Sequence, residues 1–165
     1  MSIQINSNPL QAIAWQSKPF NELTVDELYD ALKLRIDVFV VEQTCYYPDL
    51  DDLDRHPQTL HLFCYQNNEM TAYLRILPQG LTYQDHPSIG RVIIKASARG
   101  TGLSHLLMKQ ALTICEQVYP EQTIKISAQA HLEHFYNQHG FIKCSDMYLE
   151  DGIEHIAMLQ TRQDK

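Results

Sequence analysis

Arg99-Gly100-Thr101-Gly102-Leu103-Ser104 sets two glycines in a short turn, after the apolar run Arg91-Val92-Ile93-Ile94-Lys95 and before residues at helical spacing. This is the order an anion site needs. Glycines let the backbone turn tightly and aim successive N–H groups at one point, and the positive end of the following helix adds a fixed partial charge. Residues 99–104 are therefore expected to cradle a phosphate-bearing cofactor. Two familiar cradles fail on spacing. A dinucleotide turn wants G-x-G-x-x-G, but its third position falls on His105, and a P-loop wants Gly-Lys-Ser/Thr, which does not follow.

What remains resembles the Arg/Gln-x-x-Gly-x-Gly/Ala loop with which the GNAT N-acetyltransferase family grips the pyrophosphate of acetyl-CoA. Ser104 departs from that pattern; it keeps its backbone N–H, so the expected effect is on the edge of the loop. Phe135-Tyr136-Asn137-Gln138-His139-Gly140-Phe141 matches the Phe/Leu-Tyr-x-x-x-Gly-Phe ending that the family carries after its fifth strand. Four further segments, beginning at Arg35, Ile89, Ala128 and Glu150, are similar to ElaA-type GNAT proteins, and the likeness spans about Trp15 to Met158.

The resemblance implies a GNAT fold, a mixed central sheet of about seven strands flanked by helices, with acetyl-CoA as co-substrate and an unidentified amine as acceptor. It places the pyrophosphate on Arg99, Gly100, Thr101, Gly102, Leu103 and Ser104 and the pantetheine along Val92, Ile93 and Ile94. Gln129 stands where many relatives have an asparagine and could hydrogen-bond the pantetheine arm. Tyr136 is the implied general acid: a thiolate leaving group needs a proton, and a phenol with pKa near 10 supplies one without being ionised at rest. A backbone N–H of Ile93 or Ile94 would hold the oxyanion. With no Ser-His-Asp or Cys-His pattern, direct attack within a ternary complex is the economical route.

An alkyl amine with pKa near 10.4 is neutral only about once in several thousand at pH 7, so a base or a desolvated pocket must offset roughly 4 to 5 kcal/mol. Glu42, His61 and His155 are the candidate bases, and Glu42 stands where the first helix of similar folds borders the acceptor cleft. A non-catalytic acyl-CoA-binding module on the same fold is the alternative reading.

No metal site is expected. His131 and His134 share a helix face, but there is no H-E-x-x-H pattern and His139 lies off that face. Asp49-Leu50-Asp51-Asp52-Leu53-Asp54 lacks the ligand pattern of a calcium loop and reads as a solvated acidic loop or as an acceptor rim that attracts a cation. Cys45, Cys64, Cys115 and Cys144 form no C-x-x-C pair and read as reduced thiols.

At 165 residues the chain fits one domain, taken as residues 1–165. A net charge of −7 argues against sequence-independent nucleic-acid binding, with Arg91, Lys95 and Arg99 expected as a local basic exception at the cradle. Met1-Ser2-Ile3-Gln4-Ile5-Asn6 carries no basic-then-apolar leader and no run approaches membrane-spanning length, so a cytoplasmic protein is expected. A homodimer is compatible with the family, without an interface signal in the sequence.

The elements that must position these residues follow from periodicity. A first strand begins at Ile13–Gln16. Thr24-Val25-Asp26-Glu27 is a capping box opening a helix to about Val41. Leu60–Tyr65 and Met70–Leu77 read as a hairpin, Pro78–Pro87 as a loop, and Ile89–Lys95 as a central strand. A helix from Leu103, with Leu107, Ala111, Ile114 and Val118 inward, stops at Pro120. Thr123–Ala128 is a strand, Leu132–His139 a short helix capped by Gly140, and Phe141–Leu149 with Ile153–Leu159 a final hairpin about Asp151-Gly152. The result is a βαβββαβαββ order, an α/β layer protein.

Overall fold

Thr24 opens the first helix as the sequence requires: its hydroxyl accepts from Glu27 N–H at 3.0 Å, and the Glu27 carboxylate accepts from Thr24 N–H at 2.9 Å. In the computed structural model, which describes residues 13–161, this helix is α1, Val25–Arg35. The predicted continuation to Val41 is not α-helical. From Ile36 to Glu42 the chain widens into π-helical turns, closed by Gln43 N–H donating to Val38 O at 2.9 Å. Ile36, Val38, Val40 and Val41 are β-branched and crowd a tighter turn.

Strand β1, Trp15–Pro19, precedes α1; β2, Leu60–Gln66, and β3, Glu69–Leu77, follow. They form the predicted hairpin, turning through Asn67 and Asn68 with φ of 51° and 62°. A two-residue turn with both φ positive matches the natural twist of the strands. Strand β4, Ser88–Ile94, is followed by helix α2, Leu103–Val118, β5, Lys125–Gln129, and a short helix α3, Glu133–Asn137.

The predicted strand Phe141–Leu149 is instead two short ones, β6, Phe141–Lys143, and β7, Tyr148–Glu150, both paired with the same edge of β8, Ile153–Gln160. Between them the Ser145 hydroxyl accepts from Ala157 N–H at 2.9 Å, a side chain standing in for a ladder carbonyl. All eight strands of the described residues join one sheet in the order β1-β2-β3-β4-β5-β8-β6, with β7 beside β6 on β8.

Helices cover both faces. Leu103, Leu107, Met108, Ala111 and Cys115 of α2 pack on Leu62, Leu74, Ile76, Ile126, Ile156 and Met158. The opposite face sets Ala31, Leu34 and Val38 against Phe63, Tyr73 and Ile93. Neighbours in a strand thus serve opposite cores, as a two-residue period demands. Val118, expected inward, is exposed, because the buried stripe of α2 ends at Cys115. Residues Met1–Asn6, expected to carry no leader, lie outside the described residues.

Candidate active site

Parallel strands β4 and β5 share one paired position, Ser88 with Lys125, extended by Lys125 N–H donating to Pro87 O at 3.0 Å. From there β5 runs with β8, pairing through to Gln129 opposite His155. The two parallel strands therefore part, and a cleft of about 410 Å³ opens between Gly90, Arg91 and Val92 on one arm and Ile126, Ser127 and Gln129 on the other. Arg91 adopts a left-handed φ of 54° at a bulge in β4, where Tyr73 pairs with Ile93 but Arg75 already pairs with Gly90. Bulges re-aim side chains beside functional sites.

At the end of β4, residues 96–98 make one tight turn and Gly100 and Gly102 take φ of 76° and 86° before α2 begins. A side chain with a Cβ is strained at such angles, which is why glycine stands there. The backbone N–H groups of residues 100–105 donate to no described residue. They are the orphan donors of a helix start, gathered by the loop. Thr101 Oγ1 is committed elsewhere, donating to Ala98 O at 2.7 Å.

The basic exception expected around this loop is already paired. Lys95 Nζ lies 2.8 Å from Glu69 Oε2, Arg91 Nε 2.8 Å from Asp49 Oδ1, and Arg99 forms a forked pair with Glu42, Nη2 to Oε2 at 2.9 Å. Glu42, one of the predicted bases, is thus held by the Arg99 hydrogen bonds, with the guanidinium charge adding to them, below the usual carboxylate range. A carboxylate so held is a poor proton acceptor.

His61 does not reach the cleft. It is buried beneath the sheet, Nδ1 2.7 Å from Tyr73 Oη and Nε2 3.0 Å from Asp54 O, and burial pushes its imidazole pKa down. His155 does line the cleft. Its Nδ1 is 2.8 Å from Ile153 O and its Nε2 3.3 Å from Glu150 Oε2. Since a carbonyl only accepts, Nδ1 donates to Ile153 O, and Nε2 faces a carboxylate that likewise only accepts.

Tyr136 lies on the cleft wall, packed edge-on against Phe135 and Phe141 with centroids 5.1 and 6.0 Å away. Burial pushes its phenol up to about 12. Of the predicted pantetheine strand, Val92 lines the cleft, whereas Ile93 and Ile94 pair with Tyr73 and Ala72 of β3 and the Ile93 side chain enters the core on the α1 side. Gln129 also lines it, its Nε2 donating to Gln43 Oε1 at 3.2 Å.

The segment from Asp49 to Asp54 is not a free acidic rim: Leu50 and Asp52 face solvent, but Asp49, Asp51 and Asp54 are each paired with arginine. Asp49 accepts from Arg35 Nε at 2.8 Å, and Asp54 from Arg35 Nη1 at 2.7 Å and Arg75 Nη1 at 2.9 Å. Asp51 takes Arg75 in a fork at 2.5 and 2.7 Å, and Tyr47 Oη donates to Asp49 Oδ1 at 2.6 Å. Three arginines answer three aspartates. The cluster ties the loop after the π-helix to β3 and β4, and so holds Cys45, Tyr47 and Pro48 against the cleft.

Sequence reasoning passed over three cleft residues, Tyr83, Ser127 and Glu150. Only Ser127 has a local signal: the alternation in Lys125-Ile126-Ser127-Ala128-Gln129 turns it away from the core that takes Ile126 and Ala128. It also passed over His105, whose Nδ1 stands 2.9 Å from His139 Nε2. Among the described residues no group of three or more His, Cys, Asp or Glu could hold a metal, and no helix is long and apolar enough to cross a membrane.

A parted β4–β5 pair, a bulged β4 and a glycine turn of free N–H groups leading into α2 define a CoA-dependent acyltransferase fold, and the chain belongs to the GNAT acetyltransferase family. The family described as Acetyltransferase (GNAT) domain matches residues 35–161. Within it the chain is 41% identical over 146 residues to protein ElaA of Escherichia coli, covering 88% of this chain and 95% of that one. The crystal structure of that ElaA superposes with a TM-score of 0.85 at 40% identity, over 90% of this chain and 99% of that chain. An acyl-CoA N-acyltransferase from Pseudomonas aeruginosa gives 0.85 at 41% identity, over 91% and 100%.

Proposed function

We propose that this protein is an N-acetyltransferase that moves the acetyl group of acetyl-CoA to the primary amine of a small molecule or protein by direct attack in a ternary complex. The observation that carries this reading is the set of N–H groups at residues 100–105 that donate to no described residue, lying at the end of the strand whose cleft Tyr136 also lines. The diphosphate sits on those donors, the pantetheine follows the open edge of β4 from Val92 to Ile94, and a main-chain N–H there holds the oxyanion.

The acceptor ammonium gives one proton to the Glu150–His155 pair, its lone pair forms the N–C bond, and the C–S bond breaks. The departing sulfur takes the Tyr136 proton, and Tyr136 recovers one from the nitrogen. Of the three candidate bases only His155 lines the cleft, paired through Nε2 with Glu150, so we assign the base to that pair.

Calorimetry with coenzyme A, followed by a thiol-release assay over a panel of amines, tests the reading. Binding with amine-dependent thiol release supports it; absence of CoA binding overturns it, and binding without release on any amine favours the non-catalytic module. The Glu42–Arg99 pair adds a sharper expectation. The diphosphate must take Arg99 from Glu42, so Glu42→Gln tightens CoA binding by about twofold to fivefold, the scale of an exposed ion pair. A fall in kcat with unchanged Kd would restore Glu42 as the base.

A further inference from the structure

One wall of the cleft is built by residues from a loop and three strands: Tyr83 before β4, Ser127 on β5, Glu150 on β7 and His155 on β8. Behind them Tyr148 stacks on His155, ring planes 22° apart, and its hydroxyl lies 2.5 Å from Ser127 Oγ. Ser127 Oγ is 3.4 Å from both oxygens of Glu150, and Glu150 in turn faces His155 Nε2. A hydroxyl pair, a carboxylate and an imidazole thus converge on one patch of a cavity that Tyr136 also lines.

The charges of the cleft are unequally answered. Arg75 and Arg91 on the other wall are neutralised by Asp49, Asp51 and Asp54. Glu150 has only the His155 imidazole, and Asp151 beside it, also on the cleft, forms no ion pair with a described residue. The space left to a ligand is therefore negative where the nitrogen must arrive.

We propose that this wall is the acceptor seat, and that the acceptor is a primary alkylammonium with no carboxylate on the carbon bearing the amine. The inference rests on the acyl-transfer reading above and names its substrate class. Glu150 and Asp151 draw the cation, the Ser127–Tyr148 hydroxyls orient its nitrogen, and the Glu150–His155 pair receives the proton it gives up. A carboxylate next to the amine would be brought against Glu150, a like-charge contact that a specific site penalises heavily. The end of a free polyamine and a lysine side chain share the accepted chemistry.

Pentylamine and norleucine differ by that one carboxylate, and thiol release from acetyl-CoA with each is the test. The wild-type protein is expected to show kcat/KM at least about tenfold higher for pentylamine. Glu150→Gln, at a half-exposed position that does not hold the core, is expected to raise KM for pentylamine and shrink that ratio severalfold while the Kd for CoA, by calorimetry, stays put. Equal or better use of norleucine, a ratio unmoved in Glu150→Gln, or release with neither amine despite CoA binding would each overturn the acceptor assignment and leave the cofactor reading standing. Failure of the wild-type protein to bind CoA would overturn both. Turnover of 1,5-diaminopentane or of Nα-acetyllysine amide supports the assignment, and the larger kcat/KM of the two tells free polyamine from lysine side chain.

Discussion

Replacing Tyr136 by phenylalanine is expected to lower kcat for thiol release by about 10²- to 10⁴-fold, the range a positioned general acid contributes, while the Kd for CoA and the melting temperature stay close to wild type. The separation of effects follows from where the hydroxyl is. The ring is buried and packed between Phe135 and Phe141, and phenylalanine keeps those contacts. The hydroxyl bonds to no described residue, so deleting it leaves no protein group unpaired.

Burial pushes the Tyr136 phenol up to about 12, which keeps it protonated wherever the fold is stable. A group in that state can donate but cannot serve as the base, and its ionisation places no alkaline limb on the rate in the neutral range. The acid limb belongs to the proton acceptor, as kcat falls when that group is protonated. In the Tyr136→Phe protein the acid limb should persist at reduced amplitude. Unchanged kcat in this variant would remove the acid role, and a parallel loss of CoA binding would make the residue a packing element.

What the chain discloses by itself is what is encoded locally. The glycine turn, the helix after it and the capping box at Thr24 are each set by residues within one or two turns of one another, so spacing was enough to find them. The Asp49–Asp54 loop reads as solvated because its partners, Arg35, Arg75 and Arg91, sit on three other elements. A signal was nonetheless present: Arg75 stands within Leu74-Arg75-Ile76-Leu77, a run too apolar to carry an unpaired guanidinium, and a buried cation implies a buried anion elsewhere. The acceptor wall was hidden for the same reason. Ser127, Tyr148, Glu150 and His155 meet through the pairing of β5, β7 and β8, which no spacing along the chain reveals.

Substituting alanine for Asp54 is expected to cost about 3 to 5 kcal/mol of folding stability, because it strips a shared carboxylate from two buried guanidinium groups and leaves their charge unanswered. In a chain of this size that corresponds to a drop of roughly 6 to 20 °C in melting temperature, read by calorimetry or by urea unfolding. Burial by itself would raise the Asp54 carboxyl, but hydrogen bonds and charge from Arg35 and Arg75 outweigh it and hold the group below its usual value. Asp51 is held down in the same way by Arg75 and Arg91. Groups whose folded pKa is depressed contribute stability above their unfolded pKa, about 3.9 for aspartate, and lose it as pH falls through the lower folded value. Wild-type stability should therefore decline steeply below about pH 4, and the decline should be shallower in Asp54→Ala, which has already forfeited that contribution. The damage should also reach the cleft. With Asp54 gone the loop keeps only its Asp49 and Asp51 ties, so the wall that Tyr47 and Pro48 form should loosen and the KM for the acceptor should rise even under conditions where the variant remains folded. An Asp54→Ala protein as stable as wild type at neutral pH would mean that Arg35 and Arg75 are neutralised without it.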